Sequence, residues 1–209
     1  MTKKPCSPPA KHSPARPPEP EPGTHTTRQA TAARGPTRTI TGMTTANQGR
    51  PGIPSGLLEL PAGTDVWDLH AAGCWVLIPT NCCRKADGTA VMGAGLALSA
   101  AQRFPDLSAR YGAALAAGST HVAIANHRLL LSPTKNDWRK PSTMALVVAA
   151  LDAVAGWCGA NPGQRVAVAA PGCGRGGLAW APVRAAAVAA LNGSSVTLIP
   201  PMPAKSRAA

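Results

Sequence analysis

Residues 165–178 read RVAVAAPGCGRGGL, a short apolar run followed directly by a glycine-rich segment. Branched and small apolar residues over 165–169 predict a buried strand, and the glycines predict a loop at its carboxyl end. Pro182 then suits the first turn of a helix that ends near Leu191, with Asn192 and Gly193 as its stop. This strand–loop–helix unit is typical of α/β folds, in which helices cover a largely parallel or mixed sheet.

The same alternation of strands and helices extends outward over the chain from Leu57. Apolar runs predict strands over 75–79, 121–125, 128–132 and 195–199. Helical spacing predicts helices over 94–103, 106–117 and, capped by Ser142, 144–158. The two strands on either side of Asn126 and His127 are predicted to form a tight hairpin. We therefore predict an α/β layered fold.

The first 56 residues differ in composition from the rest. They hold 11 of the 22 prolines, and Ile40 and Ile53 are their only Leu, Ile, Val, Phe, Tyr or Trp residues. So little apolar surface cannot offset the entropy of ordering, which predicts a disordered tail over 1–56 and a second short tail over 200–209. With 8 basic and 2 acidic residues, the first tail suits either non-specific contact with DNA phosphates or simple solvation without a partner.

Several classes of protein are excluded by pattern. No run of 18 apolar residues exists and no apolar stretch follows the basic start, so we expect neither a membrane span nor a secretory signal. Six cysteines without a C-x-x-C pair indicate reduced thiols in a cytoplasmic protein and no structural zinc site. We expect a monomer without metal or cofactor.

A second glycine-rich segment, VMGAGLA over 91–97, directly precedes a predicted helix. Glycines let backbone N–H groups approach an anion, and a helix N-terminus adds partial positive charge. Neither segment contains the lysine of a nucleotide triphosphatase loop or a complete G-x-G-x-x-G after a strand. Two such loops, each opening a helix at the carboxyl end of the sheet, predict a site for a diphosphate held from both sides.

These residues resemble a known family. TNC over 80–82, VMGAGLAL over 91–98 and RFP over 103–105 are similar to the first signature of a macro domain. LSPTKNDWR over 131–139 and PGCGRGGLAW over 171–180 resemble one subgroup. That subgroup includes antitoxin macro domains that remove ADP-ribose from thymine in DNA, and relatives that remove it from acidic side chains. The resemblance spans 57–199 and implies a single three-layer α/β/α macro domain with a central mixed sheet.

The resemblance also implies roles for individual residues. Asp68, or alternatively Asp65, would bind the adenine amino group, and Asn81 would lie near the distal ribose. Lys135 matches the lysine that the subgroup uses in catalysis, where an amine attacks the anomeric carbon or stabilises charge on the leaving group. The two loops would hold the diphosphate and ribose with Met92, Gly93, Ala94, Gly95, Leu96 and Ala97, and with Gly172, Cys173, Gly174, Arg175, Gly176 and Gly177.

The sequence departs from the family pattern in two places. Relatives that act on proteins carry an acidic residue at the position of Gly176, and its absence favours the DNA-directed form. Residues 83–88 lengthen the approach to the first loop, either as substrate contacts or as an ordinary turn around Asp87 and Gly88. Two further alternatives stay open: Trp138 is a packing anchor or a nucleobase contact, and the cysteines near the loops are packing residues or nucleophiles.

Three functions are compatible with this pattern. The first is an ADP-ribosyl glycohydrolase that uses Lys135 to release ADP-ribose from thymine, guanine, Glu or Asp. The second is a module that binds ADP-ribose or an ADP-ribosylated partner without turnover. The third is a phosphatase acting on ADP-ribose 1″-phosphate. Because macro domains of these kinds share one pocket, the fold cannot choose between them.

Overall fold

The computed structural model describes residues 56–203. The predicted tail over 1–56, except its last residue, and the chain after 203 lie outside the described residues. In order, the elements are β1 (Leu58–Glu59), α1 (Val66–Ala71), β2 (Trp75–Asn81), α2 (Gly95–Arg103), α3 (Leu107–Ala116), β3 (Val122–Ile124), a 3₁₀ turn (Ala125–His127), β4 (Leu129–Lys135), α4 (Met144–Ala160), β5 (Val166–Ala169), α5 (Trp180–Leu191) and β6 (Val196–Ile199). Of the helices over 56–203, none combines the length and apolar character needed to cross a membrane.

The strands form one six-stranded sheet in the order β1-β6-β5-β2-β4-β3. Every neighbouring pair is parallel except β3 and β4, which pair antiparallel. The carboxyl ends of β2, β4 and β5 therefore meet at one edge of the sheet. Ligands of open α/β sheets bind in the crevice outside that edge.

Two apolar clusters, one on each face of the sheet, hold the layers together. Strand residues alternate between them, so Val76 and Ile78 of β2 join one cluster while Leu77 joins the other. The first cluster lies under α1, α2 and α3, and the second lies under α4 and α5. This arrangement of a mixed sheet between two helical layers confirms the predicted α/β/α fold.

Local details differ from the sequence prediction at two element ends. Helix α4 is capped by Thr143, whose side chain accepts from the N–H of Leu146, and not by Ser142 as predicted. The Ser142 hydroxyl is buried and donates instead to the Thr134 Oγ1 at 3.2 Å. The predicted tight hairpin between β3 and β4 is a 3₁₀ turn that ends at Arg128 in the left-handed region, with φ of 49°.

Candidate functional site

A cavity of about 720 Å³ opens at the carboxyl edge of the sheet, above β2, β4 and β5. Its wall is built from the ends of these strands and from the two glycine-rich loops. The lining residues are Pro79, Thr80, Asn81, Val91, Met92, Gly93, Ala94, Gly95, Leu96, Ala97, Thr134, Lys135, Trp138, Arg139, Ser142, Ala169, Ala170, Gly172, Gly174, Arg175 and Gly176.

The first loop directs the N-terminus of α2 into this cavity. Ala94 occupies the N-cap position and has no polar side chain, so the N–H groups of Gly95, Leu96 and Ala97 have no hydrogen-bond partner within residues 56–203. Gly95 has φ of +55°, which glycine adopts without strain. Three free amides at the positive end of a helix form a site suited to an anion.

Asn81 holds the first loop in place from the end of β2. Its side-chain amide donates to the Val91 carbonyl at 2.8 Å, and its side-chain oxygen accepts from the N–H of Cys83 at 2.9 Å. The side chain is buried at 8% exposure. Asn81 therefore fixes both ends of residues 83–91, and the structure brings it to the wall of the cavity as the sequence predicts.

The second loop is tied to its surroundings by backbone hydrogen bonds. Ala170 donates to the Ile199 carbonyl at 2.9 Å, and the Gly176 carbonyl accepts from the N–H of Ser142 at the same distance. The N–H groups of Gly174, Arg175 and Gly176 have no partner among the described residues. The loop thus adds a second set of unpaired main-chain amides to the residues that line the cavity.

Gly176 has no room for a side chain. A Cβ built there would collide with the Ser142 hydroxyl and the Gly172 carbonyl oxygen. The loop, in this conformation, therefore has no room for an acidic side chain at position 176.

Lys135 ends β4 beside Asn81 of β2. Its side chain is half-buried, lines the cavity, and donates from Nζ to the Arg175 carbonyl at 3.2 Å. This contact holds the amine against the second loop.

Near the end of β2, Thr80 is hydrogen-bonded to the buried Tyr111 of α3. The Thr80 hydroxyl donates to the Tyr111 phenol at 2.9 Å, and that phenol donates to the Thr120 carbonyl at 3.0 Å. Burial raises the pKa of Tyr111 well above its ordinary value, so the phenol keeps its proton and remains a donor. The pair anchors α3 to the strand that carries Asn81.

The charge of the cavity wall is positive. Lys135, Arg139 and Arg175 line it, and no acidic side chain does so among the described residues. A wall of this kind favours an anionic ligand and contains no carboxylate that could act as general acid or base.

Most of the residues predicted for the site line this cavity. Asn81, Lys135, the six residues from Met92 to Ala97, and Gly172, Gly174, Arg175 and Gly176 all line the cavity. Neither Cys173 nor Gly177 does. The Cys173 thiol faces the Pro171 carbonyl at 3.9 Å and packs against the second apolar cluster, and burial raises its pKa.

The two candidate acids for adenine lie outside the wall of the cavity. Asp65 caps α1 by accepting from the N–H of Trp67 at 2.9 Å. Asp68 is exposed in the first turn of the same helix. Their part in binding stays a prediction.

Other lining residues were not assigned to the site from the sequence. Ser142 was predicted as a cap, and Thr134 and Ala170 were not singled out, because their place in the wall depends on how strands and loops pack. Arg139 directly follows Trp138 in the motif over 131–139, and this was the one feature of the sequence that could have placed Arg139 at the site.

Comparison with known proteins identifies the fold. The chain matches no protein-family model and no curated protein sequence. Among solved structures it is similar to the macrodomain of Mycobacterium tuberculosis DarG, with 26% identity, a TM-score of 0.59 and coverage of 71% of this chain and 100% of that one. The macrodomain of Thermus aquaticus DarG is also 26% identical, with a TM-score of 0.56 and the same coverage. Thermosipho africanus DarTG in complex with ADP-ribose is 22% identical, with a TM-score of 0.50 over 64% of this chain and 39% of that one.

The sheet order, the paired loops at its carboxyl edge and these likenesses show that the chain has the macro-domain fold. Within that class it is similar to the macrodomains of the DarG proteins. The resemblance noted in the sequence motifs is confirmed.

Proposed function

We propose that this chain binds ADP-ribose in the cavity and hydrolyses the bond that joins it to a modified base or side chain. The proposal is supported by two sets of unpaired backbone amides among the residues that line the cavity, at Gly95–Ala97 and Gly174–Gly176. Unpaired amides on two loops of one cavity suit the anionic phosphates of a diphosphate. A solved structure of similar fold holds ADP-ribose.

The observation that carries the catalytic part is the position of Lys135. Within the described residues its amine is the only one in the wall, it is held by the second loop, and no carboxylate is present to compete for the role. In one route the neutral amine attacks the anomeric carbon of the distal ribose as the bond to the acceptor breaks, and water later displaces the amine. In the other route the protonated amine stabilises charge on the departing acceptor.

The adenine end of the ligand is proposed to lie toward α1. β1 runs parallel to β6, so the turn that leads from β1 into α1 emerges at the same edge of the sheet as the cavity. Asp65 begins that helix and Asp68 follows one turn later. Asp65 is thus the nearer to this edge by chain order, and Asp65→Asn and Asp68→Asn would separate the two by their loss of ADP-ribose affinity.

The first test is calorimetric titration of the full chain with ADP-ribose, with AMP and NAD as controls. Selective binding of ADP-ribose supports the pocket. No binding would mean that the macro-domain fold serves another ligand here.

Replacing Lys135 tests the catalytic role. We expect Lys135→Ala to abolish release of ADP-ribose from ADP-ribosylated DNA and protein while ADP-ribose affinity stays within about threefold, since the amides supply most of the binding. Lys135→Arg keeps the charge without a nucleophilic amine, so retained turnover would favour charge stabilisation over attack. Lys140→Ala, which removes a nearby exposed lysine outside the wall, is the control. Parental rates in Lys135→Ala would sink the lysine mechanism.

A second candidate function is binding without turnover. It is favoured by the contact of Lys135 with the Arg175 carbonyl, which gives the amine a structural role, and by a wall whose anion-binding groups are main-chain amides. Tight ADP-ribose binding by the parent together with no release from any ADP-ribosylated substrate would establish this function in place of hydrolysis.

A further inference from the structure

Two adjacent cysteines follow Asn81 at the end of β2. Cys82 and Cys83 are both thiols; Cys82 is half-buried and Cys83 is buried. Neighbouring side chains of an extended chain point to opposite sides. Here, however, both thiols contact Asn136: Cys82 donates to its Oδ1 at 3.8 Å, and Cys83 donates to its carbonyl at 3.4 Å. The two sulfurs therefore lie on the same side of the chain, against one residue of a neighbouring segment.

The backbone of this pair helps to hold the first glycine-rich loop. The N–H of Cys83 donates to the Asn81 Oδ1 at 2.9 Å, and the Cys83 carbonyl accepts from the N–H of Val91 at 3.0 Å. The Asn81 amide in turn donates to the Val91 carbonyl at 2.8 Å. Val91 directly precedes the residues over 92–97 that line the cavity. The position of the loop thus depends on the backbone conformation at Cys83.

A disulfide between Cys82 and Cys83 would change that conformation. The Cα atoms of adjacent residues lie about 3.8 Å apart across a trans peptide bond, whereas those of disulfide-linked residues are usually at least about 4.4 Å apart. Closing the bond therefore requires the 82–83 peptide unit to twist, and this unit contains the N–H that donates to Asn81. Disulfides under strain are easily reduced, which is the property of regulatory rather than structural bonds.

We propose that Cys82 and Cys83 form a site of reversible oxidation, at which hydrogen peroxide closes a vicinal disulfide that loosens the first loop and weakens ligand binding. As regulation of the ADP-ribose site, this inference rests on the proposed function. Oxidation begins at Cys82 because its thiol is the more accessible of the two. Oxidised and reduced chains would then differ in affinity for the same ligand.

The reaction needs peroxide as its only co-reactant. The Cys82 thiolate attacks one peroxide oxygen, which breaks the O–O bond, releases hydroxide and leaves a sulfenic acid. The Cys83 thiolate then attacks the Cys82 sulfur and expels a second hydroxide as the S–S bond forms. The protons given up by the two thiols convert both hydroxides to water. The sulfurs lose two electrons in all, and the peroxide gains them.

The experiment compares the reduced full chain with the same chain after treatment with hydrogen peroxide. Intact mass and peptide mapping report the loss of two hydrogens and its location. Amide hydrogen exchange over residues 83–97 reports the loop, and calorimetry gives Kd for ADP-ribose. Cys74 falls on the same tryptic peptide as the pair, so Cys74→Ser, which replaces a buried cysteine before β2, makes the mapping unambiguous and serves as the matched control.

For the parent and Cys74→Ser, we expect peroxide to form the 82–83 disulfide, to speed exchange over residues 83–91, and to raise Kd for ADP-ribose about tenfold, since hydrogen bonds from the loop amides are weakened. Dithiothreitol should restore all three quantities. This reversal is diagnostic because thiols do not reduce a sulfinic acid or the sulfoxide of a methionine such as Met92.

Cys82→Ser removes the more accessible thiol and should form no such disulfide. Untreated, it should bind ADP-ribose as the parent does, and peroxide should change its Kd by no more than about twofold. An equal loss of affinity in Cys82→Ser, no disulfide in the parent, or a disulfide that leaves loop exchange unchanged would overturn the oxidation site. Failure of the untreated parent to bind ADP-ribose would instead overturn the proposed function, while the mass and exchange measurements still test the oxidation.

Discussion

The two glycine-rich loops face the same cavity, but they need their glycines for different reasons. In the first loop, a Cβ added to Gly93 would meet no atom within 4 Å. In the second, a Cβ on Gly172 would lie 2.9 Å from Leu178 Cδ1 and 3.0 Å from Val147 Cγ2, and Gly176 has still less room. There is open space around Gly93, whereas the second loop is packed against α4 and against Ser142, which precedes that helix.

Glycine therefore serves a different purpose in each of the two loops. Around Gly93 the space is kept free, so the absence of a side chain matters only when a ligand approaches the backbone. Around Gly176 the space is filled by Ser142, so the absence of a side chain is a condition of folding. The two loops look alike in sequence, but Gly93 of the first has open space around it, whereas Gly172 and Gly176 of the second are constrained by packing.

Gly176→Ala should have the largest effect on stability. The added methyl must displace the Ser142 hydroxyl or the Gly172 carbonyl, which we expect to cost about 1–3 kcal/mol as overpacking and to lower Tm by several degrees. The measurement is thermal unfolding followed by circular dichroism. Gly174→Ala is the matched control, because a Cβ at Gly174, in the same loop, meets nothing within 4 Å. Equal Tm for the two variants would show that the second loop is not packed as the structure has it.

Gly93→Ala should leave the stability nearly unchanged and weaken ADP-ribose binding. Stability should change by no more than about 0.5 kcal/mol, since the methyl enters open space and Gly93 does not have a positive φ. ADP-ribose affinity should fall about tenfold, equivalent to about 1.4 kcal/mol, because the methyl stands where the ligand approaches the backbone. Thermal unfolding and calorimetric titration of one sample measure both quantities. A variant that unfolds early yet binds normally would contradict the contrast between the loops.

The smallest effect concerns pH and the exposed Trp138 ring, over which the Arg139 guanidinium lies at 5.6 Å from the centroid. Arg139 lowers the pKa of Asp137 to about 2, so the pair is stabilised in its ionised form. A lowered folded-state pKa means that this contribution is complete above the ordinary value near 4 and is lost as the pH falls through about 2. The emission of Trp138, taken as the difference between the parent and Trp138→Phe, should stay constant from pH 5 to 9. A transition within that range would show that another group sets the position of the ring.

Much of the fold was accessible from local pattern. Strands β2, β5 and β6 are short apolar runs flanked by proline, glycine or polar residues, and α2, α3 and α5 lie within a few residues of their predicted limits. Local hydrophobic spacing reports these elements because burial on the sheet requires it. The two-residue strand β1 and the short helix α1 carry too few residues for such a signal, and Leu58 and Glu59 are both exposed.

Local pattern failed at Ser142 for a definable reason. A serine before a helical run is a good N-cap, and so is the threonine that follows it. The choice falls on Thr143 because the Ser142 hydroxyl is used by Thr134 and its backbone N–H by the Gly176 carbonyl. Thr134 lies eight residues away in the preceding strand and Gly176 lies in another loop, so the spacing of residues around 142 does not report either contact.

The sequence by itself supplied the residues available to the site. They are the two glycine-rich loops, Lys135 after a predicted strand, and the neighbouring Trp138 and Arg139. Tertiary structure decided how they are used. Parallel pairing of β2 with β4 and β5 brought Asn81, Lys135 and both loops to one edge of the sheet. Packing of Ser142 against the second loop left no room for a side chain at Gly176, and neither Asp65 nor Asp68 came to line the cavity. The physical reason is that spacing along a chain reports hydrogen bonding and burial within an element, whereas the shape of a cavity depends on contacts between elements far apart in sequence.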